Sequence, residues 1–486
     1  MSESSKKTKP KHCGKTMNTL YIRKGTDKRK WIAVGYFCEK CNEMIKEEDS
    51  IQIKRLHEIQ GSPDRLVSKI SRPKGIVIDL GESLTKVGTS GESEPKFICD
   101  TAIYFDKSGE AFIQEYNFVE KIREMERKVT IFSRSKDELE VNTDHFEIFI
   151  DLIFSELDLD PSKTDVLLTE KPHSINSLDS LKGREDLIKN SALPAKVKEF
   201  LLKAKMVETS EGLSTPQHIR RQMAQVLFDR LNIPRIYFSV GEILALYSTG
   251  KTTGVMVNIG SKTTRIVPIY EGFIISHAIS IRQKGGMNVV DKVVDYIEKQ
   301  GIKIDSSPFK REYILKNTRI ASEELCYISQ DIGTEEKLWQ QSERLTRSLN
   351  VVNDSFVKLD SIRYLAPEIL FEKEKLSVNM KEGDLVDAVI ESVEKCDMDL
   401  FKFLVNNIIL VGGGTMYEGF VERFIQDMKN RLENFVVNIS APAERFISTW
   451  KGGSILSTLK IFEENNLWVT RAEYHEQGSK AVDRCI

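Results

Sequence analysis

Two stretches of the sequence share one pattern and decide the fold: IVIDLGESLTK at residues 76–86 and VMVNIGSKTTR at residues 255–265. In each stretch, a run of apolar, mostly β-branched residues leads to an acid or an amide, then to an apolar residue and a glycine. A polar stretch follows and ends in threonine and a cation. Both stretches therefore predict a β-hairpin with a glycine at its tip.

Such a hairpin has a chemical use at its tip. Backbone amides there are open to phosphate oxygens, because glycine has no Cβ to block the approach. The cation that follows, Lys86 or Arg265, would neutralise phosphate charge. Either hairpin alone is a weak signal, because a strand–turn–strand with glycine is most often plain structure. Two similar hairpins that face each other would clamp a triphosphate.

Further motifs occur in order along the chain, and with the hairpins they resemble the actin family. They are LLTEKP at 167–172, EILALYSTGKTTG at 242–254, EELCYIS at 323–329, IRYLAPEILF at 362–371, KCDMDLFKFLVNNIILVGGGTMYEGF at 395–420 and WKGGSIL at 450–456. The resemblance implies an α/β fold of the actin type, which actin shares with Hsp70 chaperones and sugar kinases. That fold has two lobes, each a mixed sheet flanked by helices, with ATP or ADP and Mg²⁺ or Ca²⁺ in the cleft between them.

The resemblance assigns four residues to the phosphate side of the cleft. Asp79 matches the acid that contacts the hydrated metal ion, and Lys86 matches the lysine that reaches the phosphates. Gly81 and Gly260 match the glycines of the first and second phosphate loops.

Six more residues would surround the base and ribose: Gly412, Gly413, Met416, Tyr417, Arg319 and Glu323. The two glycines would leave room for the nucleotide, and the Met and Tyr would wall the base. For Arg319 and Glu323 an alternative has equal standing, because residues at i and i+4 of a helix also form exposed salt bridges.

The sequence departs from the family pattern where hydrolysis takes place. Asn258 replaces an aspartate that helps to hold the metal's water shell, and Gly241 replaces a glutamine that positions the attacking water. Arg265 stands in place of a histidine. Glu82 replaces a phosphate-contacting serine. If its carboxylate faces the phosphates, it would repel them by at least about 1 kcal/mol, and Arg265 would offset this repulsion. Since positioned acid–base groups each contribute roughly 10²–10⁴-fold to a rate, weak or absent ATPase activity is expected.

These observations favour an actin-related protein that serves as a nucleotide-binding structural or scaffolding component of a cytoskeletal or macromolecular complex. A filament-forming ATPase similar to actin is the alternative. An enzyme of the sugar-kinase and chaperone superfamily is disfavoured, because the actin-like C-terminus, WKGGSIL through AVDRCI, has no purpose in it. The expected partners are proteins: further copies of the chain, actin-like proteins or complex subunits. A nucleic-acid partner is compatible with this reading but unsupported.

A C-x-x-C motif near the N-terminus suggests a metal site. Cys38 and Cys41 follow the strand-like WIAVGYF, and Cys13 precedes the strand-like TLYIRKG, as in a zinc ribbon. Tetrahedral Zn²⁺ needs a fourth ligand, for which His12 is the first candidate and His57 the second. The alternative is a degenerate ribbon held together by its apolar strands.

The predicted domains follow from these motifs. Residues 1–45 form the zinc-ribbon-like module, 46–72 a linker, and 73–486 the actin-like domain, with an insertion at about 176–215. The charged segment at 116–141 lies where actin carries a loop that contacts neighbouring subunits, and its charge favours a solvated surface instead.

Composition excludes several classes of protein. With 71 basic and 73 acidic residues the net charge is −2, which argues against wholesale nucleic-acid or membrane binding. A basic strip at 6–30 would meet an acidic partner or simply be a solvated face.

No long apolar run or signal-like start is present, so a cytoplasmic, cytoskeletal location without membrane insertion is expected. The remaining cysteines are expected to be buried or incidental thiols: Cys99, Cys326, Cys396 and Cys485.

Overall fold

The computed structural model of the protein describes residues 75–116, 125–135, 138–171, 216–301, 308–341, 346–352, 355–375, 382–459 and 466–485, together with five strands between residues 11 and 46. The chain divides into two compact units. One is Met1–Pro73 with Arg184–Lys203, and the other is Lys74–Gly183 with Ala204–Ile486. Within the described residues, no helix is both long enough and apolar enough to cross a membrane.

The smaller unit contains antiparallel strands. Lys11–His12 pairs with Lys15–Thr16, and a three-stranded sheet has the order Asn18–Arg23, Trp31–Cys38, Glu43–Lys46. The two stretches predicted to be strands are therefore strands. The zinc site stays a prediction, because Cys13, Cys41 and His57 lie outside the described residues and the side chains of His12 and Cys38 are not described either.

The first sheet of the larger unit is mixed and has six strands. Their order across the sheet is Val469–Thr470, Arg235–Val240, Val166–Glu170, Ile76–Leu80, Leu84–Thr89 and Phe97–Asp100. Ile76–Leu80 is buried along its whole length, as expected for a central strand. It pairs antiparallel with the strand that follows it and parallel with Val166–Glu170.

The second sheet repeats this plan. Its order is Phe273–Ile274, Thr264–Tyr270, Gly254–Ile259, Ile408–Val411 and Ile439–Ser440, and Ser280–Arg282 also pairs with Thr264–Tyr270. Gly254–Ile259 is again buried throughout, antiparallel to the next strand and parallel to Ile408–Val411. Both predicted hairpins are confirmed. We name Ile76–Leu80 with Leu84–Thr89 the first hairpin, and Gly254–Ile259 with Thr264–Tyr270 the second hairpin.

Helices flank both sheets. The α-helices are Thr143–Leu157, Pro216–Gln225, Gly241–Ser248, Gly286–Lys299, Pro308–Leu325, Ile332–Gln341, Ile362–Leu365, Leu385–Glu394, Met398–Val405, Phe420–Arg431, Ser448–Leu456 and Arg471–Gln477. A π-helical turn at Val226–Arg230 continues the second of them. Side-chain caps begin several helices: the Asn142 side chain accepts a hydrogen bond from the His145 backbone amide, and Asp384 accepts two in the same way.

The helices and sheets form two main hydrophobic cores, one per lobe. The first packs the first sheet against Thr143–Leu157, whose buried side chains recur at helical spacing: Phe146, Phe149, Ile150, Ile153 and Phe154. The second packs the second sheet against helices that include Leu385–Glu394 and Phe420–Arg431. The expected two-lobed α/β architecture is confirmed.

Two helices pack closely beside the cleft between the lobes. A Cβ atom added to Gly452 would lie 1.7 Å from the carbonyl oxygen of Leu244, so Ser448–Leu456 approaches Gly241–Ser248 at backbone distance. The buried Trp450 donates from Nε1 to the Val77 carbonyl oxygen at 3.1 Å. The C-terminal motif WKGGSIL thus fixes the Gly241–Ser248 helix against the first sheet.

A small outer sheet lies beside the first lobe. Its order is Ala111–Phe112, Ala102–Asp106, Met125–Thr130, and a separate hairpin joins Phe132–Ser135 to Glu138–Val141. Residues 126–128 are exposed, so this part of the 116–141 segment is a solvated surface, as predicted.

The insertion at 176–215 lies outside the described residues. The four cysteines expected to be thiols are free and buried.

Candidate functional site

The tips of the two hairpins meet across the cleft. The hydroxyl oxygens of Ser83 and Ser261 are 2.5 Å apart, although 178 positions separate them in sequence. One cavity is lined by both tips, by the Gly241–Ser248 helix and by the glycine loop that follows Ile408–Val411. It contains roughly 1080 Å³ of empty space, open solvent included. The arrangement expected of a phosphate clamp is therefore present.

In the first hairpin, an acid and a lysine pair across the two strands. Asp79 and Lys86 are register partners, and Lys86 Nζ donates to Asp79 Oδ2 at 3.1 Å. Thr169 donates its hydroxyl to Asp79 Oδ1 at 3.0 Å and accepts the Leu80 amide at 2.9 Å. The Asp79 carboxylate is thus held at the edge of the cavity by a neighbouring strand.

In the second hairpin, the equivalent register pair is Asn258 and Arg265. Both side chains donate to the same atom, Oε1 of Glu242, at 2.8 Å each. The Glu242 side chain is 1% exposed, and its Oε2 has no hydrogen-bond partner among the described residues. Burial lowers the pKa of Arg265, but Glu242 and the nearby acids Glu82 and Asp79 outweigh that effect and raise it, so the guanidinium keeps its charge.

Glu242 is the main residue of the cleft that the sequence analysis missed. It is the second residue of the Gly241–Ser248 helix, directly after the glycine that replaces the family glutamine. The sequence contained a signal for it: Glu242 is the only acid in the apolar run GEILAL. An acid in such a run is expected to be buried, and buried acids are almost always paired. The acid that Asn258 lacks is therefore supplied by the preceding helix.

The side chain of Glu82 lies between the two tips. Its Oε1 accepts from Lys171 Nζ at 2.6 Å, and its Oε2 accepts from the backbone amide of Lys262 at 3.1 Å. Burial raises the pKa of Glu82, but Lys171 and, to a smaller extent, Arg265 lower it overall. The carboxylate is charged and lines the cavity, an orientation that the sequence analysis had left open.

Glycines line the other wall of the cavity. Gly412 has φ of 91°, and a Cβ there would lie 2.5 Å from Asn258 Oδ1, so only glycine fits this turn. Gly413 and the buried Tyr417 also line the cavity. Met416 does not: it is 44% exposed and is not among the lining residues.

Arg319 and Glu323 line the cavity from the Pro308–Leu325 helix, and they are not paired with each other. Arg319 forms an ion pair with Asp100 at 3.3 Å, and the Tyr116 hydroxyl donates to Glu323. Glu323 is exposed as a whole residue, yet its pKa is raised to about 7. Burial of its carboxyl group is the main cause, and the negative charge of the nearby Glu324 is the second. The alternative of a surface salt bridge between the two is not what the structure shows.

Asp100 joins the two lobes and is the ion-pair partner of Arg319, which lines the cavity. Lys316 Nζ donates to Asp100 Oδ2 at 3.0 Å, and the Tyr104 hydroxyl donates to the same atom at 2.8 Å. Lys316 and Asp100 are both buried. Sequence reasoning did not find this network, because its members lie on strands and a helix that are over 200 positions apart.

Nine of the ten residues expected to contact nucleotide line this single cavity: Asp79, Gly81, Lys86, Gly260, Arg319, Glu323, Gly412, Gly413 and Tyr417. Phe446 and Arg445 line it as well and were not anticipated. Lys86 Nζ lies 4.9 Å from the centroid of the Phe446 ring, a cation–π contact.

Two lobes, two matching mixed sheets and a cleft between hairpin tips define the actin-type fold. A family model described as Actin matches residues 203–486, which is more than half of the 486 residues. The chain therefore belongs to the actin family. The match includes the second hairpin, the GGGTMY loop and WKGGSIL, and the first hairpin lies before it.

The residues of the cavity fit a nucleotide with a divalent cation, which the family implies. The wall at Gly412 is open only because no Cβ fills it. Asp79 lines the cavity and would face the hydration shell of the cation. Among the described residues, no group of three or more histidines, cysteines or acids has the arrangement of a direct metal site.

Proposed function

We propose that the protein is an actin-related scaffold whose cleft holds a nucleotide and a divalent cation as a structural ligand, with weak or no hydrolysis. The observation that carries the proposal is the meeting of the two hairpin tips, where Ser83 and Ser261 are 2.5 Å apart. Two glycine-bearing tips that face each other form a concave site for anions.

The two cations behind the tips support phosphate binding. Lys86 and Arg265 occupy equivalent register positions, each opposite the last polar residue of the preceding strand. Both side chains are largely buried, at 12% and 13% exposed, so their charges act at low effective dielectric. A bound divalent cation would neutralise phosphate charge further, while Asp79 would orient its water shell.

The groups around Asn258 support weak hydrolysis. A general base must have a free atom within hydrogen-bond reach of the attacking water. Asn258 donates to Glu242 and carries no charge, and Gly241 has no side chain. Glu242 Oε1 accepts from Arg265 and Asn258, and the remaining oxygen, Oε2, has no hydrogen-bond partner among the described residues but is buried away from solvent. With these groups engaged or missing, turnover is expected to be roughly 10²–10⁴-fold below that of a site with a positioned base.

A scaffolding role follows from family membership and weak turnover together. A nucleotide that is held but not consumed stabilises the closed arrangement of two lobes by mass action. Protein partners would then recognise a fixed surface, in the cytoplasm or as part of a cytoskeletal assembly. The zinc-ribbon-like module at 1–45 and the insertion at 176–215 are the segments that we propose for partner binding, since neither occurs in the actin pattern.

The test combines two measurements on the full chain. Isothermal titration with ATP and with ADP, each with Mg²⁺, is expected to show binding, and a phosphate-release assay is expected to show little or no turnover. Lys86→Met removes the lysine that we expect to reach the phosphates. This variant should bind nucleotide more weakly than wild type while still unfolding cooperatively. Steady phosphate release would contradict the structural role, and sedimentation with ATP and Mg²⁺ would then test filament formation.

A further inference from the structure

The carboxylate of Glu82 bridges the two hairpin tips. Glu82 belongs to the turn of the first hairpin, and its Oε2 accepts the backbone amide of Lys262 in the turn of the second hairpin at 3.1 Å. Its Oε1 accepts from Lys171 Nζ at 2.6 Å and lies 3.5 Å from the Thr263 hydroxyl oxygen. An anionic group of the protein therefore already occupies an amide at the tip of the clamp.

The surroundings of this carboxylate are those of an anion site. The Glu82 side chain is 9% exposed, and a backbone amide, a hydroxyl and an ammonium group surround it. Backbone amides at such tips bind phosphate oxygens in the same way that they bind carboxylate oxygens. Lys171 and Arg265 both favour the charged form of Glu82, so its pKa is lowered and it carries a full negative charge at neutral pH.

We propose that Glu82 takes the place of the terminal phosphate of the nucleotide, so that the cleft selects a nucleoside diphosphate over a triphosphate. The inference rests on the proposed function, because it assumes that the ligand is a nucleotide. A diphosphate leaves the Lys262 amide to Glu82. A triphosphate has to displace the carboxylate from that amide or place its third phosphate beside a like charge.

The size of the effect follows from the charge. Like charges about 4 Å apart repel even in water, which corresponds to at least about a fivefold loss of affinity for the triphosphate. The repulsion grows in a partly buried cleft, where the dielectric screening is weaker. A Glu82 carboxylate displaced from the Lys262 amide would keep its ion pair with Lys171. The site would therefore admit the triphosphate with lower affinity and not exclude it.

The test is the ratio of the two dissociation constants, measured on the full chain by isothermal titration with ADP and with ATP at saturating Mg²⁺. The wild type is expected to bind ADP at least about fivefold more tightly than ATP. Glu82→Ser removes the carboxylate, and Glu82→Gln keeps its shape without its charge. Both should tighten ATP binding and bring the ratio close to one, while ADP affinity changes little. Glu94→Ser, an exposed position beyond the same hairpin, should leave the ratio unchanged.

The outcomes separate this inference from the proposed function. Wild type that binds ATP as tightly as ADP, or a ratio that neither Glu82 variant alters, would overturn the inference and leave nucleotide binding intact. Absence of binding of either nucleotide to the wild type and to both variants would overturn the proposed function and this inference with it. A thermal unfolding curve for each variant confirms that the compared chains are folded.

Discussion

The two hairpins have the same backbone and different electrostatics. Both run from a fully buried strand through a glycine-bearing turn into an antiparallel partner, and both place a polar residue opposite a cation. In the first hairpin the acid is Asp79, on the strand itself. In the second hairpin the strand carries Asn258, and the acid is Glu242, on the adjoining helix.

The comparison teaches that backbone geometry fixes where charges sit but not which element supplies them. A largely buried guanidinium such as Arg265 needs a carboxylate partner, because an unpaired buried charge is costly. Glu242 meets that need from the neighbouring helix. Arg265 therefore keeps a carboxylate partner, Glu242, while the strand position that lines the cavity is the uncharged Asn258.

The largest effect is expected from removal of the second cation. Arg265→Met leaves Glu242 buried without a counter-ion, so the free energy of unfolding should fall by about 3–5 kcal/mol. Urea unfolding followed by circular dichroism measures this loss. Glu242→Gln combined with Arg265→Met removes both charges and should recover more than half of it. A double variant no more stable than the single one would mean that the two side chains are not coupled.

The same change in the first hairpin should cost less. Lys86→Met leaves Asp79 with the Thr169 hydroxyl as a partner and with a side chain that is 10% exposed, so a loss of about 2 kcal/mol is expected. The same urea titration compares the two variants directly. The expected difference rests on the acids, because the Glu242 side chain is 1% exposed and the Asp79 side chain 10%. Equal losses of stability for Lys86→Met and Arg265→Met would contradict it.

A third substitution makes the second hairpin resemble the first. Asn258→Asp puts a second carboxylate next to Glu242 Oε1, where the wild-type amide donates at 2.8 Å. Repulsion would raise the pKa of one carboxyl in the folded state, and one pKa unit corresponds to about 1.4 kcal/mol.

The sign of the pH dependence follows from that rise. The folded variant binds more protons than the unfolded chain between the ordinary carboxyl pKa and the raised one, so its stability relative to wild type falls as pH rises through that interval. Unfolding of both proteins at pH 5 and pH 8, without nucleotide or divalent ions, measures the effect. A deficit that is no larger at pH 8 than at pH 5 would count against close contact between the two groups.

The smallest effect is expected at the tips themselves. The hydroxyls of Ser83 and Ser261 share one hydrogen bond, so Ser83→Ala, Ser261→Ala and the double variant should each lose about 0.5–1.5 kcal/mol, and the double variant no more than either single one. Thermal unfolding resolves differences of this size. Additive losses would mean that the two hydroxyls act on different partners.

The sequence predicted what depends on local pattern. A run of apolar, mostly β-branched residues, with a glycine at a fixed place after it, predicted both hairpins. Nine of the ten residues that the family motifs assign to nucleotide line one cavity. Met416 is the exception: it follows the 3₁₀ turn Gly413–Thr415, is 44% exposed and does not line the cavity.

Contacts between distant elements were not predictable in the same way. The Arg319 ion pair with Asp100 and the bond from Lys262 to Glu82 join positions that no local pattern relates. Glu242 is intermediate: its place in an apolar helix signals a buried charge, but only the fold shows that Arg265 and Asn258 are its partners.

The central claim is that both hairpins hold one ligand, and isothermal titration of the full chain with ADP and Mg²⁺ tests it most directly. Wild type is compared with Lys86→Met and with the combined Glu242→Gln and Arg265→Met variant, in which no buried charge is left unpaired. Because each variant would remove one of the two charge-assisted contacts to phosphate that we propose, both should bind at least about tenfold more weakly than wild type. Loss of affinity in the first variant alone, with wild-type affinity in the second, would contradict a clamp built from two hairpins.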